Sequence, residues 1–102
     1  MNTKYFVLKL LPLRPDFVMT MTDEDRKIMI EHIAYWKPYL DEGVMLVMGP
    51  VFDPKGGYGL GIAKLDSEEQ LRELISKDPA AAINKYEYYP IMALVSGKMG
   101  QA

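Results

Sequence analysis

Apolar positions recur along the chain in two different periods. Tyr5 to Leu11 forms a short, β-prone run broken only by Lys9, and it stops at Pro12, which has no N–H to give to a sheet ladder. This predicts a first strand. The stretch from Leu13 to Thr20 keeps no period and is flanked or interrupted by Pro12 and Pro15, which predicts a long loop. At Thr22 the pattern changes to a helical one. Thr22 offers a side-chain cap, Asp23, Glu24 and Asp25 place anions in the first turn, and the helix is expected to run to Asp41-Glu42 and end at Gly43, bent by Pro38.

Val44 to Met48 is continuously apolar and too short for a helix, so it predicts a second strand, buried on both faces, that ends at Gly49-Pro50. Turn formers fill Asp53 to Gly57, and Tyr58 to Leu65 resumes as a third strand, giving a hairpin. Ser67-Glu68-Glu69-Gln70 has the form of a capping box, and Leu71, Leu74 and Ile75 then recur at helical spacing up to Lys77. Asp78-Pro79 opens a short alanine turn over Ala80 to Asn84. Tyr86 to Leu94 is the last predicted strand, with Pro90 favouring a sheet edge, and 96–102 reads as a frayed tail.

The order is βαββαβ, the ferredoxin-like α+β pattern: a four-stranded antiparallel sheet with two helices on one face. The strands carry large apolar residues in both registers, Phe6, Leu8, Val47 and Ile91 among them, so the second face also needs cover. A homodimer packing sheet on sheet meets that need. At 102 residues the chain is one domain, expected over 1–95. A domain of this size buries only about 60–70% of its unfolded surface, so it gains from a partner subunit.

Composition narrows the function. The chain is 49% hydrophobic and 25% charged, with a net charge of −2 and scattered basic residues, which argues against nucleic acid or anionic membrane as a partner. With no cysteine, thiolate metal sites, disulfides and a cysteine nucleophile are excluded, and a cytoplasmic location is expected. Lys9 breaks the N-terminal apolar run, which matches neither a signal peptide nor a membrane span.

His32 is the single histidine. Ile28, Met29, Tyr35, Trp36 and Tyr39 share its arc of the helix, so the imidazole should face the sheet. One reading is a buried histidine satisfied by a carbonyl or a tyrosine hydroxyl; the other is a general acid or base at the floor of an aromatic cleft. Asp78 likewise reads either as the cap of its alanine turn or as the carboxylate that orients His32. The glycines and prolines from Gly49 to Gly57 lack the spacing of a phosphate loop and read as hairpin punctuation. One histidine with Asp53, Asp78 and Glu87 is a poor ligand set, so no metal is expected.

His32-Ile33-Ala34-Tyr35-Trp36, Gly43, Gly49-Pro50-Val51, Asp53-Pro54, Asp78-Pro79 and Tyr86-Glu87, in that order, resemble the YCII-related domain family. The chain departs from the family's common pattern at Ala80 and at Met29. The resemblance implies a ferredoxin-like fold, a dimer similar to the dimeric α+β barrels, and a histidine–aspartate dyad carried here by His32 and Asp78. Trp36, Gly49, Pro50, Arg14 and Tyr58 are expected to bind substrate. The function expected is a cofactor-independent lyase or isomerase acting on a small, aromatic-derived compound; the alternative is a non-catalytic dimer that binds a small ligand or serves as an interaction module.

Overall fold

In the computed structural model, which describes residues 3–14 and 16–97, the chain runs β1 (Lys4–Pro12), α1 (Asp23–Asp41), β2 (Met45–Val51), β3 (Tyr58–Leu65), α2 (Glu68–Ser76), a 3-10 turn (Pro79–Ala82) and β4 (Asn84–Ile91). Pro15 of the expected loop, and the expected tail from residue 98 onward, lie outside the described residues. The four strands are antiparallel in the order β2-β3-β1-β4, which is the ferredoxin-like arrangement.

Local chemistry accounts for the ends of α1. Thr22 accepts the Asp25 backbone N–H at 3.0 Å, and the Asp25 carboxylate accepts the Thr22 N–H at 3.0 Å, so a capping box closes with aspartate in the place more often held by glutamate. Asp25 also accepts from Arg14, and the backbone N–H of Thr22 together with Arg14 holds its carboxyl below the ordinary range. At the other end Gly43 takes a φ of +79°, a conformation that side chains with a Cβ resist. That reversal feeds the chain directly into β2.

The strand register sorts the side chains onto two faces. Phe6, Leu8 and Leu10 of β1 lie opposite Ala63, Gly61 and Gly59 of β3 and opposite Pro90, Tyr88 and Tyr86 of β4. This face is covered by the helices, and Phe6, Leu8, Met45, Ala63 and Leu65 form one core with Trp36 of α1 and Leu71 of α2. Gly59 lets Leu10 cross the sheet closely, because a Cβ there would stand 3.2 Å from the Leu10 Cβ. The opposite face carries the row Val47, Ile62, Val7 and Tyr89, and among the described residues no helix lies over it.

Two strands differ from the sequence expectation. β2 is not buried on both faces: it is an edge strand, Leu46 and Val47 are exposed, and only Met45 is buried. It also continues through Gly49-Pro50 to Val51, since a proline is tolerated where the strand's outer side pairs with nothing. A register shift between Met45 and Val47 keeps both Met45 and Val47 on their own faces. β4 begins at Asn84 rather than Tyr86, immediately after the 3-10 turn, and ends at Ile91. Among the described residues no helix is long and apolar enough to cross a membrane.

Candidate functional site

Asp78 sits where α2 hands over to the 3-10 turn, and its two carboxylate oxygens have separate tasks. Oδ1 accepts the Ala80 backbone N–H at 2.9 Å and caps the turn. Oδ2 accepts from three side chains: Nδ1 of His32 at 2.8 Å, Nε1 of Trp36 at 2.9 Å, and the hydroxyl of Tyr86. Capping and reaching the imidazole are therefore compatible, because they use different oxygens. The side chain of Asp78 is fully buried.

This surrounding fixes the charge of the group. An indole N–H and a backbone N–H can only donate, so both oxygens of Asp78 act as acceptors. Burial pushes its carboxyl up, but the hydrogen bonds from His32, Tyr86, the Ala80 backbone and Trp36 outweigh it and hold Asp78 below the ordinary carboxylate range. An ionised partner at Nδ1 draws the proton of the neutral ring to that nitrogen and leaves Nε2 with a free lone pair. Tyr86 responds in the opposite sense: burial, and then the bond to Asp78, drive its hydroxyl far above the ordinary tyrosine value, so it remains a neutral donor.

α1 supplies the two donors on its inner arc. His32 and Trp36 are four residues apart and project from successive turns, the arrangement expected from the helical period. His32 is 8% exposed and Trp36 not at all. Tyr35, beside Trp36, ties the helix to the end of α2 by donating to the Leu74 carbonyl at 2.5 Å. The third donor, Tyr86, comes from β4 and shares the inner face with Asn84.

His32 and Tyr86 line a cavity of about 600 Å³ between α1 and the inner face of the sheet. Leu8, Leu10, Met45, Gly59 and Gly61 contribute from the strands, Phe17, Val18 and Met21 from the segment before α1, and Gly49 to Phe52 from the end of β2. Asp78 is outside the lining, behind His32 and Tyr86.

Of the residues expected to bind substrate, Gly49, Pro50 and Tyr58 line this cavity. Trp36 forms part of the wall behind it but is fully buried, with its one polar atom engaged by Asp78. Arg14 is elsewhere: Nε donates to the Thr20 hydroxyl, and Nη2 to the Thr20 carbonyl and to Asp25, all within 2.9 Å. Its guanidinium lies 4.9 Å from the Phe17 ring, so it fastens the loop that brings Phe17 to the cavity instead of reaching the cavity itself. Sequence reasoning offers Tyr86 only as an aromatic of the family resemblance, core first and pocket lining where a cleft exists, and does not single out Asn84. Their even spacing from Tyr88 is the signal that places them on the helix-covered face, and it becomes readable once β4 starts at Asn84.

Among solved structures the fold is similar to 5-chloro-2-hydroxyhydroquinone dehydrochlorinase from Burkholderia phenoliruptrix in complex with 2,5-dihydroxybenzoquinone. That match has a TM-score of 0.59 and 17% identity, covering 82% of this chain and 90% of that one. A second match, SnoaB, a cofactor-independent oxygenase from Streptomyces nogalater, has a TM-score of 0.49 and 13% identity over 94% of this chain and 97% of that one. No curated protein sequence matches the chain. The family model of the YCII-related domain matches residues 6–95, and the chain belongs to that family.

Proposed function

We propose that the cavity is the active site of a cytoplasmic, cofactor-independent enzyme of lyase or isomerase type, in which His32 moves a proton and Asp78 orients it. The observation that carries this reading is the bond from His32 Nδ1 to a buried Asp78 that is all acceptor, on a ring that borders the cavity. Nε2 takes a proton from the substrate, and the imidazolium that forms is stabilised by the carboxylate behind it. Returning the proton to a different substrate atom completes an isomerisation. Returning it to a departing group completes an elimination.

The similarly folded dehydrochlorinase makes substituted hydroquinones the first compounds to screen. On a compound that turns over, His32→Ala should lower kcat by about 10²- to 10⁴-fold while the protein stays folded. A folded His32→Ala variant with full turnover ends the proposal. The non-catalytic alternative is favoured by the predominantly apolar lining and by the capping role of Asp78. It predicts compounds that bind and are recovered unchanged. A homodimer through the uncovered sheet face belongs to the same reading, supported by the row Val47, Ile62, Val7 and Tyr89.

A further inference from the structure

The geometry points to an uncharged, apolar ring compound as what this cavity takes, with carboxylates and phosphates turned away. This rests on the reading of the cavity as the active site, and it names the substrate class. Among the described residues the lining holds no Asp, Glu, Lys or Arg; the polar side chains presented to it by α1 and the inner face of the sheet are His32, Trp36, Asn84 and Tyr86. Tyr86 already donates to Asp78, and the Asn84 amide donates to the Ala80 carbonyl at 3.1 Å. A ligand anion inside would lose its hydration without meeting a cation.

The basic residues that neighbour the lining in the chain have partners away from it: Lys37 meets Asp41 at 2.7 Å and Lys85 lies 3.9 Å from Glu87. Arg14 is held by Thr20 and Asp25. Lys9 lies between Leu8 and Leu10 in sequence but on the other side of the sheet, with its ammonium 4.9 Å from the Tyr58 ring. The buried Asp78 carboxylate adds a negative charge directly behind His32, which further disfavours an anion in front of it until the ring is protonated.

The cavity's edge has the same character. Val18, Ile33 and Phe52 line it and are nevertheless 57%, 58% and 80% exposed. They come from three separate parts of the chain: the loop before α1, α1 itself and the β2–β3 connection. Large apolar side chains held in water around an opening suit a ligand that brings its own apolar surface to cover them. A cavity of about 600 Å³ is ample for one or two fused rings. The single polar demand is an acidic X–H that can be delivered to Nε2.

The test uses a matched pair of fused-ring probes, 1-naphthol and 1-naphthoate, titrated into the full-length protein at neutral pH. The first is uncharged there and the second is ionised. Binding is read by calorimetry, with the His32 ring protons followed by NMR to locate it. Naphthol should bind at least about tenfold more tightly than naphthoate and shift the His32 signals, since an unpaired anion pays its desolvation in full. Equal or tighter binding of naphthoate overturns the assignment, and so does binding of neither probe or naphthol binding that leaves His32 unmoved. The outcome is separable from the proton-transfer proposal: naphthol selectivity alongside full turnover in His32→Ala would leave the ligand class standing and remove the catalytic role.

Discussion

Trp36 donates its indole N–H to Asp78 at 2.9 Å, on the same oxygen that meets Nδ1 of His32. The residue that packs α1 into the core thus also determines how the carboxylate presents itself to the histidine. Trp36 is edge-on to Tyr35 and Tyr39 as well, with ring centroids 5.2 and 5.6 Å away, so the donor has little freedom to move. Core packing and site geometry are one arrangement here.

Removing the carboxylate should therefore be expensive. Asp78→Ala leaves the donors of His32, Trp36, Tyr86 and Ala80 without their acceptor. We expect a loss of about 3–5 kcal/mol in urea unfolding. A loss below about 1 kcal/mol, the size of a cap alone, would show that the three side-chain bonds contribute nothing net.

The same group gives the protein an acid signature. Asp78 is held below its ordinary value of 3.8, so the unfolded chain binds the proton first. Its contribution is complete above that value and is lost as pH falls through the lower folded one, which makes stability rise with pH across the acid range. Asp25 adds to the slope in the same direction. Unfolding free energies measured over about pH 2 to 6 should show a shallower slope for Asp78→Asn than for the wild type; identical slopes would contradict the bonding described.

At alkaline pH the tyrosines should separate. Burial, then Tyr39 and Asp78, raise Tyr35 to about 12, and Tyr86 is raised further by burial and Asp78. Both stay protonated in the folded protein when ordinary tyrosines ionise, and the stability they contribute is lost only as pH rises toward their folded values. Ultraviolet titration should show Tyr86→Phe losing no absorbance change up to about pH 11. A smaller early amplitude in that variant would place the hydroxyl in water.

Assembly can be tested on the uncovered sheet face. Val47 is 56% exposed in the single chain, so Val47→Lys should leave the monomer's stability within about 0.5 kcal/mol. In a sheet-on-sheet dimer the lysine would face apolar residues of the second copy. Sedimentation should then show wild-type dimer and variant monomer. Equal sedimentation of the two would move the interface elsewhere.

What could be read in advance was mainly local. β3 spans Tyr58–Leu65, beginning where the turn formers Asp53 to Gly57 end, and α1 opens after Thr22 because cap, anions and apolar period coincide there. The ferredoxin-like order and the inward direction of His32 followed from the same patterns. The edge position of β2 is not legible in its apolar run, which reads the same in the middle of a sheet as at its rim; Pro50 is the residue that fits the rim. The dyad pairs residues 46 positions apart, a distance that no periodicity encodes. Arg14 shows the converse. A lone arginine in a loop is as consistent with gripping an anionic ligand as with gripping its own helix, and Thr20 and Asp25 decide it.

Both outer strands of the sheet carry a proline, Pro50 in β2 and Pro90 in β4. Each breaks the row of amide hydrogens that a further strand would need. Each edge is thereby a poorer template for a further strand, whether from an extended peptide or from a neighbouring copy. In the proposed sheet-on-sheet dimer, a second copy would instead meet the row Val47, Ile62, Val7 and Tyr89 on the broad face, and two copies stacked there would leave no such row open to a third.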